Sequence, residues 1–173
     1  MTRLLRQTPR QGGFTLVELI IALAISGLLM VALTSVVLTS VRAASTASNR
    51  VEASSQIRIF QSFASDDFAR SAAPDGGGCP CTTQPLMLTG TQVSNSAQPV
   101  GSTVQVTYTW DGSNFVDRQV GGGPTIHAAT DVSAFSWYVD TSGAHPTVVV
   151  SLTVTVGAYS ESQTFRFYPR VNP

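Results

Sequence analysis

The run from Gly12 to Val41, GGFTLVELIIALAISGLLMVALTSVVLTSV, limits what this chain can become more than any other stretch. Phe14 to Val41 spans 28 residues in which only Glu18 is charged, more than the ~20 needed to cross a bilayer as a helix. An ionised carboxylate inside a membrane helix costs about 2.5–3.5 kcal/mol on insertion scales, less near the interface, and usually has a definable partner. Glu18 therefore calls for a cation. Ahead of it, Met1 to Gly13 is polar and basic, with Arg3, Arg6 and Arg10. A conventional secretory signal places its small residues after the apolar region; here Gly12 and Gly13 come before it, so cleavage after Gly13 would leave the helix attached. The arginine bias predicts a cytoplasmic leader and an extracytoplasmic C-terminus. An uncleaved signal anchor is the bland alternative.

Charge narrows the partners. Ten arginines, no lysine and ten acids sum to zero, and loss of the leader's three arginines would leave −3. Such a chain is a poor candidate for strong nonspecific DNA binding, which relies on phosphate neutralisation by basic residues.

The motif Gly13-Phe14-Thr15-Leu16-Val17-Glu18-Leu19-Ile20 resembles the class III signal of type IV pilins and of the pseudopilins of type II secretion. The resemblance covers the leader and the first half of the apolar helix. It implies cleavage by a prepilin peptidase between Gly13 and Phe14, N-methylation of Phe14, and assembly roles for Glu18 and the adjacent Thr15. A physical reason for the spacing stands beside it. Cleavage creates an ammonium at Phe14, about one helical turn from Glu18, and staggered stacking of helices could bring one subunit's carboxylate to its neighbour's amine. Compensation by the chain's own helix dipole is the alternative.

Helical character continues past the membrane. Val41 to Ser71 has neither Gly nor Pro, and Ile57, Ile59, Phe60, Phe63, Ala64 and Phe68 are expected on one broad face. Gly27 and the Ala/Ser/Thr-rich stretch 42–55 are expected weak points. Ala72 to Gly78 breaks the helix.

Beyond Pro85 the period becomes two. Val104, Val106, Tyr108 and Trp110 predict a half-buried strand, Asp111 to Asn114 a turn, and Phe115 to Val120 a second strand. Gly121 to Pro124 reads as a loop. Val132 to Asp140 is another strand. Val148, Val150, Leu152, Val154 and Val156 form the strongest alternation, with Thr147, Val149, Ser151, Thr153 and Thr155 opposite. Gln163 to Tyr168 closes a hairpin through a Gly157–Ser162 connection. Four or five antiparallel strands with one apolar face need a cover, and the Ile57–Phe68 helix face supplies it.

The expected fold is therefore α+β and pilin-like, a long N-terminal helix with an antiparallel sheet. The expected organisation is a leader at 1–13, a membrane and filament-core half-helix at 14–41, an amphipathic half at 42–71 and a β-rich head at 72–173. Phe63 to Arg70, together with Asp117-Arg118, is similar to minor pilins of the PilW type and to the J-type pseudopilin.

Chemistry is sparse. Cys79 and Cys81 could form a disulfide, although an i, i+2 bridge strains the geometry, and two ligands fall short of a structural zinc site. His127 and His145 sit beside loop-forming residues and read as solvated loop histidines. Asp111 to Asn114 lacks the ligand spacing of an EF-hand, and no serine elbow or phosphate loop is present. No cofactor and no enzymatic activity are expected. The first reading is a structural subunit, a minor pilin or pseudopilin of a type IV pilus or related filament. Its partners are prepilin peptidase, other subunits, an inner-membrane assembly platform, and lipid before assembly. It starts as a single-pass protein of the cytoplasmic membrane and ends in a surface filament. The alternatives are a type II secretion pseudopilin, a filament-displayed module binding DNA or a surface through Ser/Thr-rich strands and Trp110, Trp137 and Tyr138, and the uncleaved anchor.

Overall fold

A computed structural model describes residues 13–72, 74, 85–91 and 103–169. One helix, α1 (Leu16–Arg70), is followed by β1 (Leu86–Thr91), β2 (Thr103–Trp110), β3 (Val116–Val120), β4 (Thr125–Ala129), β5 (Val132–Asp140), β6 (Thr147–Val156) and β7 (Tyr159–Phe167). The fold is α+β, as the periodicities predict. Helix is assigned throughout α1, including Gly27 and residues 42–55. Two units divide the chain, Met1–Ala44 and Ser45–Pro173.

In the first unit the described residues form only α1 and the three positions before it. Its large apolar side chains, from Phe14 to Val41, are all exposed. The helix is long and apolar enough to cross a membrane.

In the second unit the strands form two antiparallel sheets, β1-β2-β3-β4 and β5-β6-β7. This corrects the expectation of four or five strands in one sheet. β1 and β4 carry weak period-two signals because Gly90 stands at an inward position of β1, while β4 buries only the small Ala128 and Ala129. Two residues, Thr130 and Asp131, link the sheets, with Asp131 at φ 57°. The Asp131 carbonyl accepts from the Thr155 amide at 2.8 Å, and the Val132 amide donates to the Asn114 carbonyl at 2.9 Å.

The last hairpin is tighter than expected. β7 begins at Tyr159, with Val156 and Tyr159 paired across a two-residue turn at Gly157-Ala158. Gly157 has φ 59°, and a Cβ there would lie 2.7 Å from Asn49 Nδ2 of α1. Ser160 and Ser162, polar enough to read as loop, are strand residues that face Thr155 and Thr153.

The core lies between both sheets and the second half of α1. Ala53, Ile57, Phe60, Ala64 and Phe68 recur at three- and four-residue steps and are buried, the spacing of one helix face. Ile59, expected on that face, is 39 % exposed, because two residues turn the helix by about 200°. Phe63 is partly buried. Phe60 is the hub, its ring centroid 5.7 Å from Tyr108, 6.0 Å from Phe135 and 5.7 Å from Phe165. On β6, Val148, Val150, Leu152 and Val154 are buried as the alternation predicts.

Candidate functional site

The start of α1 is built from the motif residues themselves. Gly13, Phe14 and Thr15 are non-helical and exposed, and the helix begins at Leu16. The Glu18 amide approaches Thr15 Oγ1 at 3.3 Å, while the Thr15 amide approaches Glu18 Oε2 at 3.5 Å. This reciprocal arrangement is a long-contact version of the capping box, Thr-x-x-Glu, laid over a backbone turn in which the Glu18 amide also donates to the Thr15 carbonyl at 3.1 Å. It adds a specific local role for Glu18 and Thr15 to the helix-dipole effect already expected. The pattern was readable in Thr15-Leu16-Val17-Glu18, followed as it is by an apolar run.

Among the described residues, the head contains a buried ionic cluster. Asp67 of α1 is 7 % exposed. Its Oδ2 accepts from Arg118 Nε at 2.6 Å and its Oδ1 from Arg118 Nη2 at 2.7 Å, a bidentate pair. Tyr108 Oη also donates to Oδ2. Burial, reinforced by the adjacent Asp67 carboxylate, pushes the Tyr108 phenol far above its ordinary range, so it remains a donor. The hydrogen bonds that Arg118 donates to Asp67 push the guanidinium further above its ordinary range, and its carbon sits 5.4 Å from the Phe63 ring centroid. A cleft of about 70 Å³ beside this cluster is lined by Asp66, Asp67, Arg70, Arg118 and the valines of β2 and β3. Drug-sized ligand pockets are typically about 300–1,000 Å³, so this cleft is far smaller than they are.

His127 is exposed, as expected, but it stands in a strand and not in a loop, which corrects that part of its reading. β3 and β4 place it opposite Asp117, with Nδ1 to Oδ1 at 2.6 Å, and its ring stacks on Phe115 at 4.3 Å. Sequence reasoning missed the pair because β4 itself was missed. His145 lies exposed in the turn between β5 and β6. Asp111 to Asn114 is the expected turn: Asp111 Oδ1 accepts from the amides of Ser113, Asn114 and Phe115 at 2.9, 2.8 and 2.9 Å. Trp137 packs in the core, Trp110 is partly buried against it, and Tyr138 is partly exposed. Cys79 and Cys81 lie outside the described residues. Among the described residues no group of three or more His, Cys, Asp or Glu could hold a metal ion.

Residues 8–34 match a family model described as the prokaryotic N-terminal methylation motif. No curated protein and no solved structure matches the chain. The family match covers the end of the leader and the first part of the apolar helix, the same residues whose spacing and capping geometry single out Phe14, Thr15 and Glu18. The chain thus carries a type IV pilin-like class III signal at the head of a long apolar helix.

Proposed function

We propose that this chain is a structural subunit of a pilin-like filament, a minor pilin or pseudopilin. Prepilin peptidase cuts it between Gly13 and Phe14, the new terminus is methylated, and the apolar half of α1 passes from lipid into the filament core. The observation that carries this reading is Glu18, the only charge in a 28-residue apolar stretch, about one helical turn beyond Phe14. Lipid opposes that carboxylate, and its pairing with a neighbour's Phe14 ammonium gives assembly an electrostatic driving force. The absence of lysine sharpens the assignment: in an assembly of processed copies the only amine is the one at Phe14, and every other permanent cation is an arginine.

Intact mass of the chain recovered from a host expressing prepilin peptidase tests the processing step. The expected result is loss of residues 1–13 plus one methyl group, and a full-length mass would overturn it. The lack of lysine also makes amine-reactive labelling specific for the N-terminus. Labelling of Phe14 in the isolated subunit should be suppressed in filaments and restored in any assembled Glu18→Ala material. Glu18→Ala that is processed normally and enters filaments at wild-type levels would remove the electrostatic role.

A further inference from the structure

The outward face of β5-β6-β7 has an organisation that the filament role does not require. Register places Thr155 beside Ser160, Thr153 beside Ser162 and Ser151 beside Thr164. Their hydroxyls meet at 3.0, 2.9 and 3.1 Å, and Ser133 of β5 extends the first row to Thr155 at 2.8 Å. Each two-membered row uses one O–H and leaves the other, with its remaining lone pairs, for a partner. Neighbouring rows are two residues apart along the strands, and members of a row are about 4.8 Å apart between strands. Cross-strand bonding fixes the rotamers, so little side-chain entropy remains to be lost on binding.

Among the described residues charge is nearly absent from this face. Its charged members there are Asp140 and Arg166, which pair with each other at 3.7 Å at one end. Glu161 belongs to the opposite face, where it accepts from Ser54 of α1. Exposed strands are commonly protected by charged side chains, whereas here the whole chain is only 12 % charged against about 25 % in ordinary domains. At the Asp140–Arg166 end, Val149 lies between Tyr138 and Arg166 and is only 2 % exposed. Tyr138, partly exposed, contributes an aromatic side chain to this face, and Tyr168, 69 % exposed, follows the end of β7.

We propose that this face docks an uncharged polysaccharide. A charged polymer would lose hydration there without gaining an ionic partner among the described residues, since the guanidinium of Arg166 is already matched by Asp140. A neutral glycan offers hydroxyls that exchange hydrogen bonds with the free valences of the rows, and C–H faces that lie on tyrosine. The same charge argument disfavours nucleic acid, whose binding needs unpaired basic groups.

The test uses the full chain in a zwitterionic, sugar-free detergent, since glycoside detergents would compete. Co-sedimentation with microcrystalline cellulose is compared with co-sedimentation on alginate, an anionic polysaccharide. Wild type should be depleted by cellulose and not by alginate. Thr153→Val combined with Ser151→Ala should lower retention about tenfold, and Ser162→Ala, on the exposed edge strand, should lower it in the same direction. Thr107→Val, on the outward face of the other sheet, should not. Absence of wild-type retention would overturn the proposal. So would equal retention on alginate, equal loss in Thr107→Val, or a change in the free protein's oligomeric state in the double variant, which would make a second copy the occupant. The test requires no cleavage at Gly13, so its failure leaves the processed-subunit reading intact, and a failure of processing leaves the docking face intact.

Discussion

Asp66 and Asp67 show at the residue scale what a linear sequence conceals. The two are chemically identical neighbours, but 100° of helical phase puts Asp66 in solvent, paired with Arg70 at 2.8 Å, and Asp67 in the core against Arg118 and Tyr108. Removing one partner of a buried ion pair leaves an uncompensated charge. Asp67→Ala should therefore destabilise the head by ~3–5 kcal/mol, whereas Asp66→Ala should cost about 0–1 kcal/mol. Urea unfolding followed by tryptophan fluorescence measures both. Asp111 makes a pH prediction. Amides of Asn114, Phe115 and Ser113 stabilise its carboxylate and lower its pKa from 3.8 to about 2. Because the folded-state value lies below the unfolded one, its contribution to stability is complete above pH 3.8 and is lost as pH falls through about 2. The Asp111 carboxyl carbon, followed by NMR, should titrate near 2 in the wild type.

Two elements depend on single small or polar residues. At the start of α1, Thr15→Ala removes the side-chain acceptor of the capping box and should cost the first turn about 1 kcal/mol. Faster amide exchange at Val17 and Glu18, with little change beyond Ile25, would be the measured sign in micelles. At the other end, Ser71 bridges to Gly90 of β1, and the Ala72 amide donates to the Thr89 carbonyl at 2.9 Å. A Cβ on Gly90 would lie 2.4 Å from the Arg70 carbonyl oxygen. Gly90→Ala should separate helix end from strand and cost ~1–3 kcal/mol, read as a lower thermal midpoint. Sequence marked the Ala72–Gly78 breaker clearly, since Pro and Gly act locally. It could not mark Gly90 as a contact point, because nothing within β1 says which backbone will approach it.

Across the head, α1 packs against both sheets in one buried core. Phe60 touches Tyr108 of one sheet and Phe135 and Phe165 of the other, so Phe60→Ala should cost ~3–5 kcal/mol. It should also lower the unfolding midpoint of both sheets together, as reported by Tyr108 and Phe165 resonances. The hydroxyl rows of β5-β6-β7 follow the same division between local pattern and assembled structure. The Ser and Thr residues of β6 were legible as one face of a strand, whereas Ser160 and Ser162 read as a connection, and the alignment of all of them into bonded rows depends on register. By itself the sequence determined the apolar helix, its lone carboxylate, the methylation motif and the strongest strands, because hydrophobic period, helix capping and glycine breakers operate over a few residues. Only the tertiary structure decided that the strands divide into two sheets, that Asp67 rather than Asp66 meets Arg118, and that His127 faces Asp117. Those outcomes depend on which distant surfaces can be buried together while the buried carboxylate of Asp67 keeps its partners.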